Sequence, residues 1–335
     1  MEYRELGVSG LKVSVLTLGC WQFSGSGDTN WGSGYDEETA IKTIQAALDL
    51  GVNSFDTAEG YGAGNSERVL CKALGDRRKD VILSSKVAET HLSPEDLIKS
   101  CNDSLERLGT EYIDYYQIHW PNDKADMKAT LEALKTLQEQ GKIRHFGVSN
   151  HGPQDLKRVM EHKDIIKCQS NQLAYNLLAR GIEYEVQPAC QEYNLSILCY
   201  SPLMHGLLCG KFKNADEVPE GRARTRHFSS DRRLTRHREP GFEKETFQAI
   251  EEIGKIAEEL NMSMGDLALA WLKYQPSVCT VIVGARTPQQ IQENVRGITT
   301  QLSPQILARL DDATRPLKEA MGSNIDLWER VSRAK

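Results

Sequence analysis

Asp56, Tyr61, Lys86 and His119 are the residues of this chain whose types and spacing point most directly to chemistry. Asp56, Lys86 and His119 end or nearly end short apolar runs (VNSFDTA, VILSSKV and YIDYYQIH), and Tyr61 follows Asp56 by five residues in the glycine-rich stretch EGYGAGNSE. Taken singly, each has an ordinary reading, since a histidine after a strand is commonly packed or capping and a lysine is commonly solvated. Taken together they form a proton-transfer set. A tyrosine, with a reference pKa of about 10, is a poor acid at neutral pH unless a cation stabilises its phenolate. Lys86 is suited to be that cation, Asp56 to hold the ammonium charged, and His119 to donate a hydrogen bond to a substrate oxygen beside the phenol.

Such a set needs a scaffold that brings four distant stretches to one place. Eight runs (VSVLTLG, VNSFDTA, VILSSKV, YIDYYQIH, RHFGVSN, IKCQSNQ, LSILCYS and CTVIVGA) alternate with segments of helical period. Asp36 opens one such segment, with apolar residues at 40, 41, 44, 47 and 48 and Gly51 as its stop. Ser93, Pro94 and Asp96 form a capping pattern for another that Gly109 ends, and Met127 to Gln140 repeats the design before Gly141. Further helices are expected near 153–162, 181–193 and 288–296, with a pair at 243–260 and 263–274. Strand and helix alternating eight times, with strands apolar enough to be buried on both faces, predict a single-domain α/β fold over residues 1–335: a (β/α)8 TIM barrel with long loops on its C-terminal face. An open doubly wound sheet is the second architecture, disfavoured because no G-x-G-x-x-G follows the first run. YREL and LKVS around Val8-Ser9-Gly10 predict an N-terminal β-hairpin. In a barrel, chemistry sits at the C-terminal strand ends, and the later ends are also polar: Ser149-Asn150, Asn171-Gln172 and Tyr200-Ser201.

The bulk composition excludes more than it assigns. With 335 residues, 39% apolar and 26% charged, the chain can bury a large core, and its net charge of −6 offers no overall basic character for nucleic acid or an anionic membrane. Eight scattered cysteines include no C-x-x-C pair, so no metal is expected. The charged start and the lack of any run near 20 apolar residues point to a cytoplasmic protein without a membrane span.

The chain resembles the aldo-keto reductase superfamily over essentially its whole length. The resemblance is carried by FDTAEGYGAGNSE, SSK at Lys86, IHW, GVSN at 147–150, SNQ at 170–172 and YSPLMHGLLCGKF. It implies that Asp56, Tyr61, Lys86 and His119 are the catalytic tetrad, with Tyr61 the general acid for reduction of a small-molecule carbonyl compound. It also implies a nicotinamide dinucleotide across the barrel mouth: the carboxamide against Ser149, Asn150 and Gln172, the ring on Tyr200, the pyrophosphate along Ser201, Leu203, Gly206 and Leu208, and the adenosine end against Gly284, Arg286, Gln290, Glu293 and Asn294. Many relatives that use the 2′-phosphorylated cofactor carry a lysine where Gly284 stands and an arginine where Gln290 stands. Arg286 is then the residue left to meet that phosphate, so the expectation is NADPH (NADP+), with NADH as the alternative.

Trp21, Trp31 and Trp120 follow the first strand, its long connection and the fourth strand, and are expected to wall the substrate site; Trp328, in the C-terminal tail, is a candidate to close over it. Seven arginines lie between Arg222 and Arg238. They read as a solvated loop, or as a cover over cofactor phosphates or a subunit contact, and not as a nucleic-acid patch, because Phe228 is their lone interleaved aromatic. The leading function is NADPH-dependent reduction of aldehydes or ketones, sugar-type carbonyls among them. The alternatives are oxidation of a sugar or polyol, and a cofactor-sensing regulatory subunit of the channel β-subunit type, which the absence of a long N-terminal extension disfavours.

Overall fold

In the computed structural model, which describes residues 1–25 and 36–335, two short antiparallel strands come first, β1 (Tyr3–Glu5) and β2 (Lys12–Ser14). Eight parallel strands follow: β3 (Leu16–Gly19), β4 (Ser54–Asp56), β5 (Ile82–Val87), β6 (Ile113–Ile118), β7 (Ile143–Ser149), β8 (Cys168–Ala174), β9 (Ser196–Tyr200) and β10 (Val278–Gly284). They pair in sequence order, and β10 closes against β3. Around them lie α1 (Glu37–Asp49), α2 (Asn65–Leu74), α3 (Pro94–Leu108), α4 (Met127–Glu139), α5 (Pro153–Met160), α6 (Val186–Glu192), α7 (Glu243–Glu259), α8 (Met264–Lys273), α9 (Pro288–Thr299) and α10 (Pro304–Met321). The expected barrel and hairpin are both present. Among the described residues no helix is long and apolar enough to cross a membrane.

Local chemistry explains most boundaries. Asp36 accepts from the Thr39 N–H, Ser93 from that of Asp96 and Asp126 from that of Ala129, so α1, α3 and α4 each begin on a side-chain cap. Gly109 ends α3 in the left-handed conformation that favours glycine. Four details depart from the sequence expectation. The run VSVLTLG is divided, its first two residues pairing in the hairpin and its last four entering the barrel. The stretch after Tyr61 is a helix, α2, which starts behind Gly64 with no side-chain cap and so carries no start signal. Residues 181–193 are a 3-10 turn followed by the shorter α6. The tail contains α10, which has the same Ser-Pro start as α3.

The strands separate two cores because their side chains alternate. Phe55, Leu83, Tyr116, Phe146 and Val281 face outward and join the helices in the main core. Ile82, Tyr115, Leu198 and Ile282 form a smaller cluster with Leu6 and Val13 of the hairpin, which plugs one end of the barrel. All eight cysteines are free and six are buried.

Three histidines are buried, His151, His227 and His237, and two of them lie against backbone carbonyls: His151 Nδ1 is 2.9 Å from Ser149 O, and His227 Nε2 is 2.8 Å from Leu178 O. Burial holds the His151 and His227 imidazoles down to about 4. Unfolded, each binds a proton near the ordinary value of about 6.5, so stability is full above that pH and falls as pH drops toward the folded value, by up to about 1.4 kcal/mol per pH unit per residue. Urea melts at pH 7 and pH 5 should show this loss, with a shallower dependence in His151→Gln and His227→Gln.

Candidate active site

The buried end of the site is assembled by three neighbouring strands and one loop. Asp56 ends β4, Lys86 lies one residue before the end of β5, His119 directly follows β6, and Tyr61 stands in the turn between β4 and α2. Lys86 is fully buried, and its ammonium has three acceptors: Asp56 Oδ1 at 2.6 Å, Thr57 O at 2.8 Å and Tyr61 Oη at 3.4 Å. Its three N–H groups are thereby spent on one carboxylate, one carbonyl and one phenol. Burial works against its charge, but Asp56 and Tyr61 outweigh that cost and the lysine pKa ends above its ordinary value. The His119 ring packs edge-on to Tyr61 with centroids 5.8 Å apart.

The electrostatics set the resting protonation states. Burial pushes the Tyr61 phenol up by more than the adjacent ammonium lowers it, so its pKa lies above the usual tyrosine value. Lys86 limits the rise without reversing it, and Tyr61 is protonated at neutral pH. His119 is held down to about 3, first by burial and then by the Lys86 charge, so its imidazole is neutral and keeps one N–H to donate.

Above this cluster the polar strand ends interlock. Gln172 Nε2 donates to Asp56 Oδ2 at 2.8 Å, which leaves its Oε1 as the acceptor end. Asn150 donates to His119 O at 3.0 Å and Ser149 Oγ at 3.1 Å, and its Oδ1 accepts from Tyr200 Oη at 2.8 Å. Ser149 Oγ donates to Gln172 O at 3.0 Å. Asn171, next to Gln172, faces away and bonds His151 O at 2.7 Å, as strand alternation requires.

From there a groove of about 860 Å³ extends along the barrel mouth to the start of α9. Ser201, Met204, His205 and Gly206 all have positive φ (53°, 40°, 56° and 93°), so the backbone turns sharply beside the groove. Leu203 and Gly206 line it, but Leu208 does not: its side chain is fully buried in the core and its N–H donates to Leu203 O. Gly284, Arg286, Gln290, Glu293 and Asn294 line the far end. At Gly284 a Cβ would collide with the Gln22 side chain, which excludes any larger residue there unless Gln22 moves. Gln22 itself was not anticipated. It lines the groove, and its buried Oε1 has no partner among the described residues. Gln290 Oε1 accepts from the Arg286 N–H at 2.8 Å. Lys211, Arg222 and Arg224 join Arg286 on this wall, and burial, then the Arg286 charge, lowers the Arg222 pKa. Other arginines of the loop serve structure, Arg226 pairing with Glu239 at 2.6 Å and Arg232 with Glu220 at 3.1 Å.

Trp21, which opens a short 3-10 turn after β3, and Trp120 both line the mouth, whereas Trp31 lies outside the described residues. Trp328 does reach the site. Its ring lies parallel to Tyr200 at 6.3 Å and edge-on to Trp120 at 6.1 Å. Arg333 sits 3.7 Å over the Trp120 ring, held by Asp326 at 2.7 Å and 3.0 Å. A pairing of aromatic wall with guanidinium from the tail cannot be read from either stretch alone.

Comparison with known proteins agrees with this geometry. The model of the Aldo/keto reductase family matches residues 15–315. The aldo-keto reductase YhdN of Bacillus subtilis is 33% identical, covering 87% of each chain. A Schizosaccharomyces pombe protein provisionally assigned as a voltage-gated potassium channel subunit beta is 34% identical over 92% of each. Among solved structures, an aldo-keto reductase from Klebsiella pneumoniae in complex with NADPH superposes with a TM-score of 0.74 at 28% identity, covering 93% of this chain and 94% of that one. A barrel that matches throughout, with the motif residues gathered at its mouth, leaves one assignment: the chain belongs to the Aldo/keto reductase family.

Proposed function

We propose that this chain reduces aldehydes or ketones with NADPH, Tyr61 acting as general acid. The observation that carries the reading is the Lys86 ammonium bound at once to Asp56, Thr57 and Tyr61 beneath a groove with a cationic far end. The groove suits a dinucleotide: the buried Oε1 of Gln22 has no partner among the described residues, Gly206 and Gly284 line the groove, and an anion between Arg222 and Arg286 would offset the charge that Arg286 sets against Arg222. Ser149, Asn150, Gln172 and Tyr200 would hold the nicotinamide end, and Arg286 with Arg222 the phosphate end. When bound, the reduced nicotinamide supplies a hydride to the carbonyl carbon. Tyr61 gives its phenolic proton to the carbonyl oxygen, His119 donates a hydrogen bond to that oxygen as negative charge grows on it, and Lys86 stabilises the phenolate left behind. The product is the alcohol. The aromatic walls Trp21, Trp120 and Trp328 exclude water and favour compounds with an apolar or sugar-like face.

The test is consumption of NADPH and NADH with a panel of aldehydes, ketones and sugars, and the reverse rates with the alcohols. Arg286→Ala and Arg222→Ala should each weaken NADPH binding by about tenfold or more, as expected for a charge-assisted contact, with NADH changed by less than about threefold. Equal losses for both cofactors would remove the phosphate preference. A second reading, a cofactor-responsive subunit of a larger assembly, draws on the S. pombe relative; negligible turnover of every carbonyl with tight NADPH binding would favour it.

A further inference from the structure

Gln117 belongs to none of the groups assigned above, yet it sits at the centre of the buried cluster. It is fully buried on β6, two residues before His119 and so on the same inward face. Its Nε2 lies 3.3 Å from Asp56 Oδ2, and its Oε1 accepts from Gln172 Nε2 at 3.3 Å. The Asp56 carboxylate is thereby divided. One oxygen serves Lys86, and the other receives two amides, from Gln117 and Gln172. The three residues come from β4, β6 and β8, alternate strands of the barrel, which is how a layer of inward side chains is built.

We propose that Gln117 is a positioning residue for proton transfer: it holds the second oxygen of Asp56 and fixes the orientation of the Gln172 amide. The proposal rests on the reductase reading. Three consequences follow from the bonds themselves. A buried carboxylate oxygen without donors draws harder on the remaining cation, so without Gln117 the Asp56 charge is concentrated toward Lys86. Lys86 then gives less of its charge to Tyr61 Oη, and the phenol becomes a weaker acid. Gln172, with Nε2 tied to Asp56 and bonded to Gln117 Oε1, can turn only its Oε1 toward a ligand, so it recognises an N–H donor and rejects a bare carbonyl at that point.

Gln117→Met keeps the length of the side chain and removes both polar ends. In Gln117→Met, kcat for carbonyl reduction should fall by about tenfold, within the range of general-acid effects. The alkaline limb of its pH profile should move up, while substrate KM stays within about twofold and cofactor Kd rises by no more than about threefold, because Gln172 keeps its 2.8 Å bond to Asp56. In the chain without cofactor, ionisation of Tyr61, read as the ultraviolet phenolate signal lost in Tyr61→Phe, should also move to higher pH. Gln117→Glu adds a carboxyl beside Asp56, which raises its own pKa; protonated, it donates to Asp56, so activity should return toward wild type at acid pH and disappear as pH rises. An unshifted pH limb in Gln117→Met, a loss confined to KM or Kd, or a Gln117→Glu variant with the wild-type pH dependence would each overturn the proposal. A wild-type chain that turns over no carbonyl of the panel would overturn the reductase reading, and this proposal with it.

Discussion

Replacing Tyr61 by phenylalanine lowers kcat for carbonyl reduction by about a thousandfold or more, a loss in the range assigned to a positioned proton donor, while NADPH binding changes by less than about twofold. One oxygen is removed and the ring is kept, so the edge-on packing with His119 at 5.8 Å survives. What disappears is the phenolic hydroxyl, whose oxygen lies 3.4 Å from Lys86 Nζ. Lys86 retains Asp56 and Thr57, so the fold is not left with an unpaired charge. His119 does not take over as the acid, because with its pKa near 3 it carries a single ring proton at neutral pH and giving that up would leave an imidazolate. Stopped-flow hydride transfer and fluorescence titration of NADPH separate the two effects. Turnover within tenfold of wild type would take the acid role from Tyr61; unchanged turnover together with weakened NADPH would move that residue to the binding wall.

Much of this site is legible in the sequence because barrel chemistry collects at strand ends. Asp56, Lys86 and His119 announce themselves as ionisable residues closing apolar runs, and the barrel follows from eight repeats of the same alternation. Other features have no such signature. Gln117 is an uncharged residue within an apolar run, and only its spacing of two from His119 could have marked it as inward-facing. The direction of the Tyr61 shift depends on how deeply the ring is buried, which no spacing encodes. Gln22 and Gly284 lie 262 positions apart and meet only because β10 closes on β3. The family resemblance puts Leu208 along the pyrophosphate, but its side chain is buried in the core and its N–H is already bonded to Leu203 O. Trp328 reaches the mouth only by way of α10 and the strap after it.

Lys86→Met tests whether the buried pair serves chemistry or the fold. Removing the ammonium leaves Asp56 Oδ1 buried without its cation, a change that typically costs about 3–5 kcal/mol, and it deprives Tyr61 of the charge that would stabilise its phenolate. Stability and kcat should therefore fall together, the latter by about a thousandfold as for other essential proton-transfer groups. Asp56→Asn in the same chain removes the orphaned charge. The double variant should recover much of the lost stability, since a neutral amide keeps a hydrogen-bonding role beside Gln117 and Gln172, but it should recover none of the rate. The pH dependence carries the same sign. Because the Lys86 pKa is raised, its contribution to stability is complete below the ordinary lysine value of about 10.4 and is lost only as pH climbs through the higher folded value. Wild type should thus keep this contribution in full across neutral pH. If the double variant regained activity along with stability, the pair would be part of the scaffold and the phenolate would need another source of charge.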